Sequence, residues 1–300
     1  MIQKMLKDIE SPRIKKMILD TDTYNEIDDQ FALAYAILAK DKVDVLSVNA
    51  APFHNGNSSS PEDGMERSYN EIFKIFDLIV PRPTIPVYRG SRRFLKDEKT
   101  PEDTDAARNI INTAHSMPED ELLYVVAIGA ITNVASALLI DPSIKDKIAI
   151  VWLGGNSLHM NSTGEFNMAQ DIAAARIVFN SGAPLCQIPC HGVCTHLTTT
   201  VPELEYCLGG KNALCDYLVE NVKNCFSDPY AKSRVIWDAT AIATLVYPKS
   251  LGRQLIPTPI VTYDGVYSTL PTRHNYLYTI ALNRDAIFGD MFRRLSNMGK

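Results

Sequence analysis

The 300-residue sequence predicts an α/β fold, a mostly parallel open sheet flanked by helices. Three observations carry that expectation. Apolar, strand-like runs alternate with helical runs along the chain. Each strand-like run is followed by carboxylates, amides or small residues, as happens where parallel sheets hold ligands beyond their carboxyl ends. No internal repeat or clear linker interrupts the pattern, so residues 1–300 read as a single domain.

The first strand covers 17–22 and ends on Asp20 and Asp22. A helix over 31–40 follows, then a strand over 43–51. The stretch 52–65 is crowded with turn-forming residues and reads as a polar loop. A helix over 68–80 places Ile72, Ile75 and Phe76 on one face. Strands at 122–130 and 148–155 are continuous apolar runs, the pattern of parallel strands buried on both sides, with a helix over 133–140 between them. The helix at 172–182 closes on Gly182, and a strand over 184–190 succeeds it. A second, helical and irregular region spans roughly 200–250.

Hydrophobic residues make up 46% and charged residues 22%, enough apolar material for a large core and no signature of disorder. The formal net charge of -5 argues against a nucleic-acid surface, which needs clustered Lys and Arg. No run approaches the ~20 apolar residues of a membrane span. The first sixteen residues lack the apolar core of a signal peptide. The six cysteines (Cys186, Cys190, Cys194, Cys207, Cys215, Cys225) then read as reduced thiols, and the cytoplasm is the expected compartment.

Five acids fall within ten residues: Asp20, Asp22, Glu26, Asp28 and Asp29. They sit where a strand turns into a helix. Like charges this close repel unless a cation lies among them, and oxygen donors suit calcium or magnesium rather than zinc. The simpler alternative is a solvated acidic turn in which Asp28 or Asp29 caps the helix.

A strand-end Asp-x-Asp followed by Asp-Asp at a helix start resembles the nucleoside hydrolase family. Four further segments match in the same order: Gly129–Asn133, Gly154–Asn156, Glu165–Asn167 with Asp171, and Trp237–Asp238. The resemblance runs from about residue 17 to 245. It implies a Rossmann-like nucleoside hydrolase fold and a homo-oligomer, dimer or tetramer. The substrate it implies is a small ribonucleoside, whose N-glycosidic bond is hydrolysed to free base and ribose. It further implies Ca2+ held by the side chains of Asp22, Asp29 and Asp238 and by the carbonyl of Ile128. Asp22 would take a proton from the attacking water, and Asp28 would hold the ribose hydroxyls. Asn55 (with Asn57 as competitor), Asn161, Glu165 and Asn167 are the other candidate ribose contacts. Five residues separate Asp22 from Asp28 where the family has three, so Asp20 and Glu26 stand as candidates to share the work of Asp22. Many members carry His where this chain has Trp237. A Trp there resembles the purine-preferring branch, where an aromatic ring stacks on the base, although Trp152 lies in a buried-looking strand and does not match that branch's second stacking Trp.

Other chemistries fit less of the sequence. Cys190, His191, Cys194 and His196 invite a zinc reading, but zinc ligands come as spaced pairs, and packing at a strand end is the simpler account. His191 can still face a pocket. A Gly-rich phosphate loop and a nucleophile elbow are both absent from the sequence. A haloacid dehalogenase-type phosphatase also opens on Asp-x-Asp. It wants Thr or Val where Tyr24 stands, and it leaves Asp28-Asp29 unexplained. The third reading is a non-catalytic, calcium-dependent nucleoside- or ribose-binding protein. Release of ribose from inosine, or of phosphate from a phosphate monoester, separates the three.

Overall fold

In the computed structural model, which describes residues 1–299, strand β1 (Lys15–Thr21) runs through the interior of an eight-stranded sheet. On one side lie β2 (Val43–Ala50) and β3 (Val87–Arg89). On the other lie β4 (Leu123–Ala127), β5 (Ile148–Leu153) and β6 (Leu185–Ile188). These six strands are parallel. Two short antiparallel ladders stand apart, β7 (Thr198–Thr199) with β8 (Arg234–Val235), and β10 (Ile260–Val261) with β11 (Tyr267–Ser268). The sheet ends with β9 (Leu251–Pro257), antiparallel to β12 (Asn275–Leu282), which pairs with β6.

The order 3-2-1-4-5-6 places a topological switch between β1 and β4, where successive connections leave in opposite directions and open a crevice beyond the strand ends. Alternate residues of these strands feed two cores. Met17, Leu19, Tyr124 and Val126 face one layer of helices, and Ile18, Leu123 and Val125 face the other.

The first layer contains α1 (Ile2–Glu10), α2 (Asp28–Leu38), α3 (Pro61–Leu78), α8 (Val201–Cys207), α9 (Ala213–Asn224), α10 (Ala239–Val246) and α11 (Arg284–Ser296). The second contains α4 (Asp105–Ser116), α5 (Thr132–Ile140) and α7 (Ile172–Asn180), with the one-turn α6 (Phe166–Gln170) joining from the site. Helices α2 and α10 pack on each other and are buried almost all round, which suits their continuous apolar sequences. Burying a side chain such as Phe31, Leu33 or Ile242 stabilises the fold by roughly 1.5–3 kcal/mol.

Several expected boundaries move, and two helix starts matter most here. Helix α3 starts at Pro61, so the polar loop stops at Ser60. Ser60 accepts a hydrogen bond from the Asp63 amide, Pro61 needs no donor in the first turn, and Glu62 and Asp63 favour the positive helix end. Helix α2 starts at Asp28 rather than residue 31, so both acids of the pair fall inside its first turn. Helices α1, α4, α6 and α11 and strands β3 and β9–β12 lie where no element was expected. Among the described residues, no helix is long and apolar enough to cross a membrane.

Candidate active site

The crevice at the switch point holds a cavity of about 300 Å³. Its floor is acidic. Asp28 and Asp29 come from the start of α2, and Asp238 is the residue just before α10. Oxygens of the three lie within 4.8 Å of one another, and each residue is at most 3% exposed. Two helix N-termini therefore converge on one cluster, and their dipoles favour negative charge there. Secondary bonds fix the geometry: Thr21 donates to Asp29 Oδ1 at 2.6 Å, and the Asp238 amide donates to Asp28 Oδ2 at 3.4 Å.

Asp22 sits beside Asp29 under this floor rather than on the cavity wall. It is fully buried, and neither of its carboxylate oxygens has a hydrogen-bond partner among the described residues. Burial and then the charge of Asp29 push its carboxyl well above the usual range. Burial likewise raises Asp29 to about 8 and Asp28 to about 6, with neighbouring acids adding to the effect, and lifts Asp238 well above the ordinary value. Orphaned buried oxygens cost free energy unless something positive answers them. Three aspartates offering only hard oxygen donors, with buried Asp22 near Asp29, fit a divalent cation of the calcium or magnesium type. Among the described residues, this is the one group of three or more such side chains that could hold a metal ion; the cysteines and histidines of 190–196 do not form one.

The opposite wall is built from main chain. Glu165 accepts hydrogen bonds from the amides of Gly155, Asn167 and Met168, so its carboxylate caps α6 and pins the turn after β5. Asn167 spends its amide nitrogen on the carbonyls of Ile128 and Leu153, each at 3.0 Å, which leaves its Oδ1 as the uncommitted acceptor. Ile128 lines the cavity, and its carbonyl keeps one lone pair beyond the Asn167 bond. Trp237 and His191 stand at the mouth, edge to face, with ring centroids 5.2 Å apart.

The structure thus gathers Asp28, Asp29, Ile128, Glu165, Asn167, Trp237 and Asp238 around one cavity, with Asp22 beneath it. Two expected ribose contacts are not brought in. Asn161 is exposed on the loop before α6 and is not part of the wall. Asn55 lines a neighbouring cavity and donates to Asn25 Oδ1 at 2.6 Å; it is Asn25 that faces the acidic site. Both were carried over from the family resemblance, and each sits in a loop that does not turn it into this cavity. Asp20 also lies outside the cavity: Asn133 donates to its Oδ2, and burial raises its carboxyl to about 7. Glu26 lines the wall but is paired with Arg234.

Sequence reasoning did not single out the wall residues Asn25 and Arg234; it weighed Cys190 only for zinc, and Asn156, outside the wall, only as part of the Gly154–Asn156 segment. Buried Asn156 donates to the Ser162 carbonyl, and its Oδ1 is without a partner among the described residues. Its place just after Gly154-Gly155 at a strand end was the available signal. Arg234 carried none, since its partner Glu26 lies 208 residues away.

Comparison with known proteins matches residues 17–288 to the family described as inosine-uridine preferring nucleoside hydrolase. Pyrimidine-specific ribonucleoside hydrolases of Escherichia coli O1:K1 / APEC and of Escherichia fergusonii are each 31% identical over 161 residues, which cover 51% of this chain and 50% of theirs. The chain thus spans about half the length of these curated relatives. Among solved structures, a plant nucleoside hydrolase superposes with a TM-score of 0.75 at 20% identity, over 96% of this chain and 100% of that one. A purine-preferring ribonucleoside hydrolase from Gardnerella vaginalis gives 0.74 at 23%, over 95% and 99%. These two likenesses speak to the fold.

Proposed function

The chain belongs to the inosine-uridine preferring nucleoside hydrolase family, and from that premise we propose that it hydrolyses the N-glycosidic bond of ribonucleosides to free base and ribose. One observation carries the reading: three buried aspartates meet in a nucleoside-sized cavity at the switch point of the sheet, and buried Asp22 beside Asp29 has two orphaned carboxylate oxygens.

Asp22, Asp29, Asp238 and the Ile128 carbonyl would hold the cation; their hard oxygens suit calcium or magnesium, and we take it to be calcium from the family resemblance. When bound, calcium supplies a Lewis-acidic charge that lowers the pKa of nearby water and orients the sugar diol. Asp22 accepts the proton of the attacking water, for which its unpartnered oxygens suit it. Asp28 accepts a hydrogen bond from the ribose. Asn167 offers its Oδ1 to another hydroxyl, while Glu165 keeps the wall in shape. As the base leaves, the sugar gains oxocarbenium character, and the surrounding carboxylates stabilise that positive charge. Trp237 presents an aromatic face at the mouth, which favours the larger stacking area of a purine.

The test is direct. The protein is incubated with calcium and inosine, uridine or a phosphate monoester, and free ribose and free phosphate are assayed. Ribose from the nucleosides with no phosphate release is the expected result. Phosphate release, or nucleoside binding without ribose, would overturn the reading in favour of the phosphatase or the binding protein.

A further inference from the structure

We infer that His191 delivers a proton to the departing base, an inference that rests on the N-glycosidic hydrolysis proposed above. The cavity divides by chemistry. Its floor holds the buried carboxylates, so a sugar engaged there directs its base towards the mouth. Trp237, His191, Phe166 and Arg234 line the less buried part of the wall. Cleaving the bond between C1′ and the base leaves an electron pair on the base, and protonating the base makes that pair easier to accept.

Other ionisable groups of the wall are committed. Asp29 and Asp238 are given to the cation and Asp28 to the ribose, the three meeting on the floor. Glu165 accepts three main-chain amides. The Cys190 thiol is buried, and burial, together with the nearby charge of Glu165, holds its proton tightly. Arg234 stays charged at any working pH and is paired with Glu26. His191 remains, and imidazole is the side chain whose ordinary titration range suits proton delivery near neutrality.

Its backbone is held where delivery needs it. The His191 carbonyl accepts from the Ser157 amide at 3.0 Å, and the Cys190 amide donates to Gly155, tying the ends of β5 and β6 together. Gly192 follows at φ +91, a turn that side chains rarely tolerate. The imidazole then stands edge to face with Trp237, so the ring that would flank the base also orients the donor.

The step balances. The bond from C1′ to the base nitrogen breaks, and its electron pair passes to the base. The imidazolium N–H proton of His191 moves to a basic ring nitrogen, N7 in a purine. Water forms the new bond at C1′ and gives its proton to Asp22. His191 is left neutral and regains a proton from solvent, which its exposed position allows; Asp22 returns its proton to solvent.

The experiment compares inosine with 4-nitrophenyl β-D-ribofuranoside, whose leaving group needs no proton, in the full-length calcium-loaded protein and in His191→Gln. The expected result is a kcat on inosine reduced by roughly 10²-fold or more, with nitrophenyl riboside turnover within about threefold of the parent. In His191→Gly, added imidazole is expected to restore inosine hydrolysis in part. Equal losses on both substrates, or no loss on inosine, would overturn the assignment of His191. A parent protein that hydrolyses neither substrate would instead overturn the proposed function, so the two failures are distinct.

Discussion

Gly129 lies against Asp22 so closely that a Cβ at residue 129 would stand 2.7 Å from Asp22 Oδ1 and 2.9 Å from its Cγ. The glycine at the end of the β4 run is therefore a steric partner of the proposed base. Gly129→Ala forces Asp22 aside, and misplacing a reacting group by a fraction of an ångström costs on the order of 10- to 100-fold in rate. Overpacking adds about 1–3 kcal/mol of destabilisation. Steady-state kinetics with inosine and a calcium titration check both effects. An unchanged kcat with unchanged calcium affinity would place Asp22 away from the reaction.

The aspartate cluster makes metal-free stability depend on pH. Asp29 holds its proton up to about 8 in the folded protein, against an ordinary value of 3.8. Asp28 and Asp20 shift the same way, to about 6 and about 7. With folded values raised, the folded state binds more protons. The stability contributed by the neutral carboxyls is full below the ordinary value and is lost as pH climbs through about 8. Metal-free protein is thus expected to melt at a lower temperature at pH 9 than at pH 6. Asp29→Asn should narrow the gap, and saturating calcium should narrow it further. Melting curves independent of pH from 6 to 9 would show that these carboxyls ionise freely.

Asp29→Ala removes one member of the cation cluster and leaves the remaining acids to repel one another. Calcium affinity and ribose release are expected to fall together by at least 10²-fold, with the circular dichroism spectrum unchanged. Calcium binding as tight as in the parent, measured by calorimetry, would remove Asp29 from the ligand set.

A site built to pair ribose hydroxyls leaves buried groups unsatisfied when one hydroxyl is missing. Discrimination between inosine and 2′-deoxyinosine is expected to be on the order of 10⁴ in kcat/KM. Comparable values would mean that the floor does not grip the sugar diol.

Asn55 reaches the site only through Asn25. Asn55→Ala forfeits its hydrogen bond to Asn25, and with it the one accepted from the Asn57 amide; at about 0.5–1.5 kcal/mol, the loss of the Asn25 bond corresponds to a few-fold up to tenfold drop in kcat/KM. A loss beyond a hundredfold would restore Asn55 as a direct sugar contact.

Much of the fold was legible because it rests on short-range pattern. The apolar runs from residue 17 to residue 190 all became parallel strands, and their polar ends line or support the crevice. Asp28, Asp29, Glu165, Asn167 and Asp238 were legible for the same reason, each lying at a strand end or helix start. What escaped depends on long loops. Asn161 and Asn55 were carried over from the family resemblance onto loop positions, and neither lines the acidic cavity. Glu165 looked like a sugar ligand, yet its carboxylate is taken up by amides of a one-turn helix too short to announce itself. Helix α4 and the β9–β12 edge were missed because their elements are half-exposed and mixed in composition.

The convergence of α2 and α10 joins parts of the chain that lie 210 residues apart, at Asp28 and Asp238. A cation held there acts as a reversible cross-link closing a loop that spans most of the molecule. The ion binds only the closed form, so it stabilises that form by mass action and is lost when the two helix starts separate. Chelation should therefore do more than silence the reaction: it should let the segment from α8 to α10 breathe as a unit. Amide hydrogen exchange would register this as protection lost across 201–246, far beyond the aspartates themselves, while β1, β4 and β5 keep theirs.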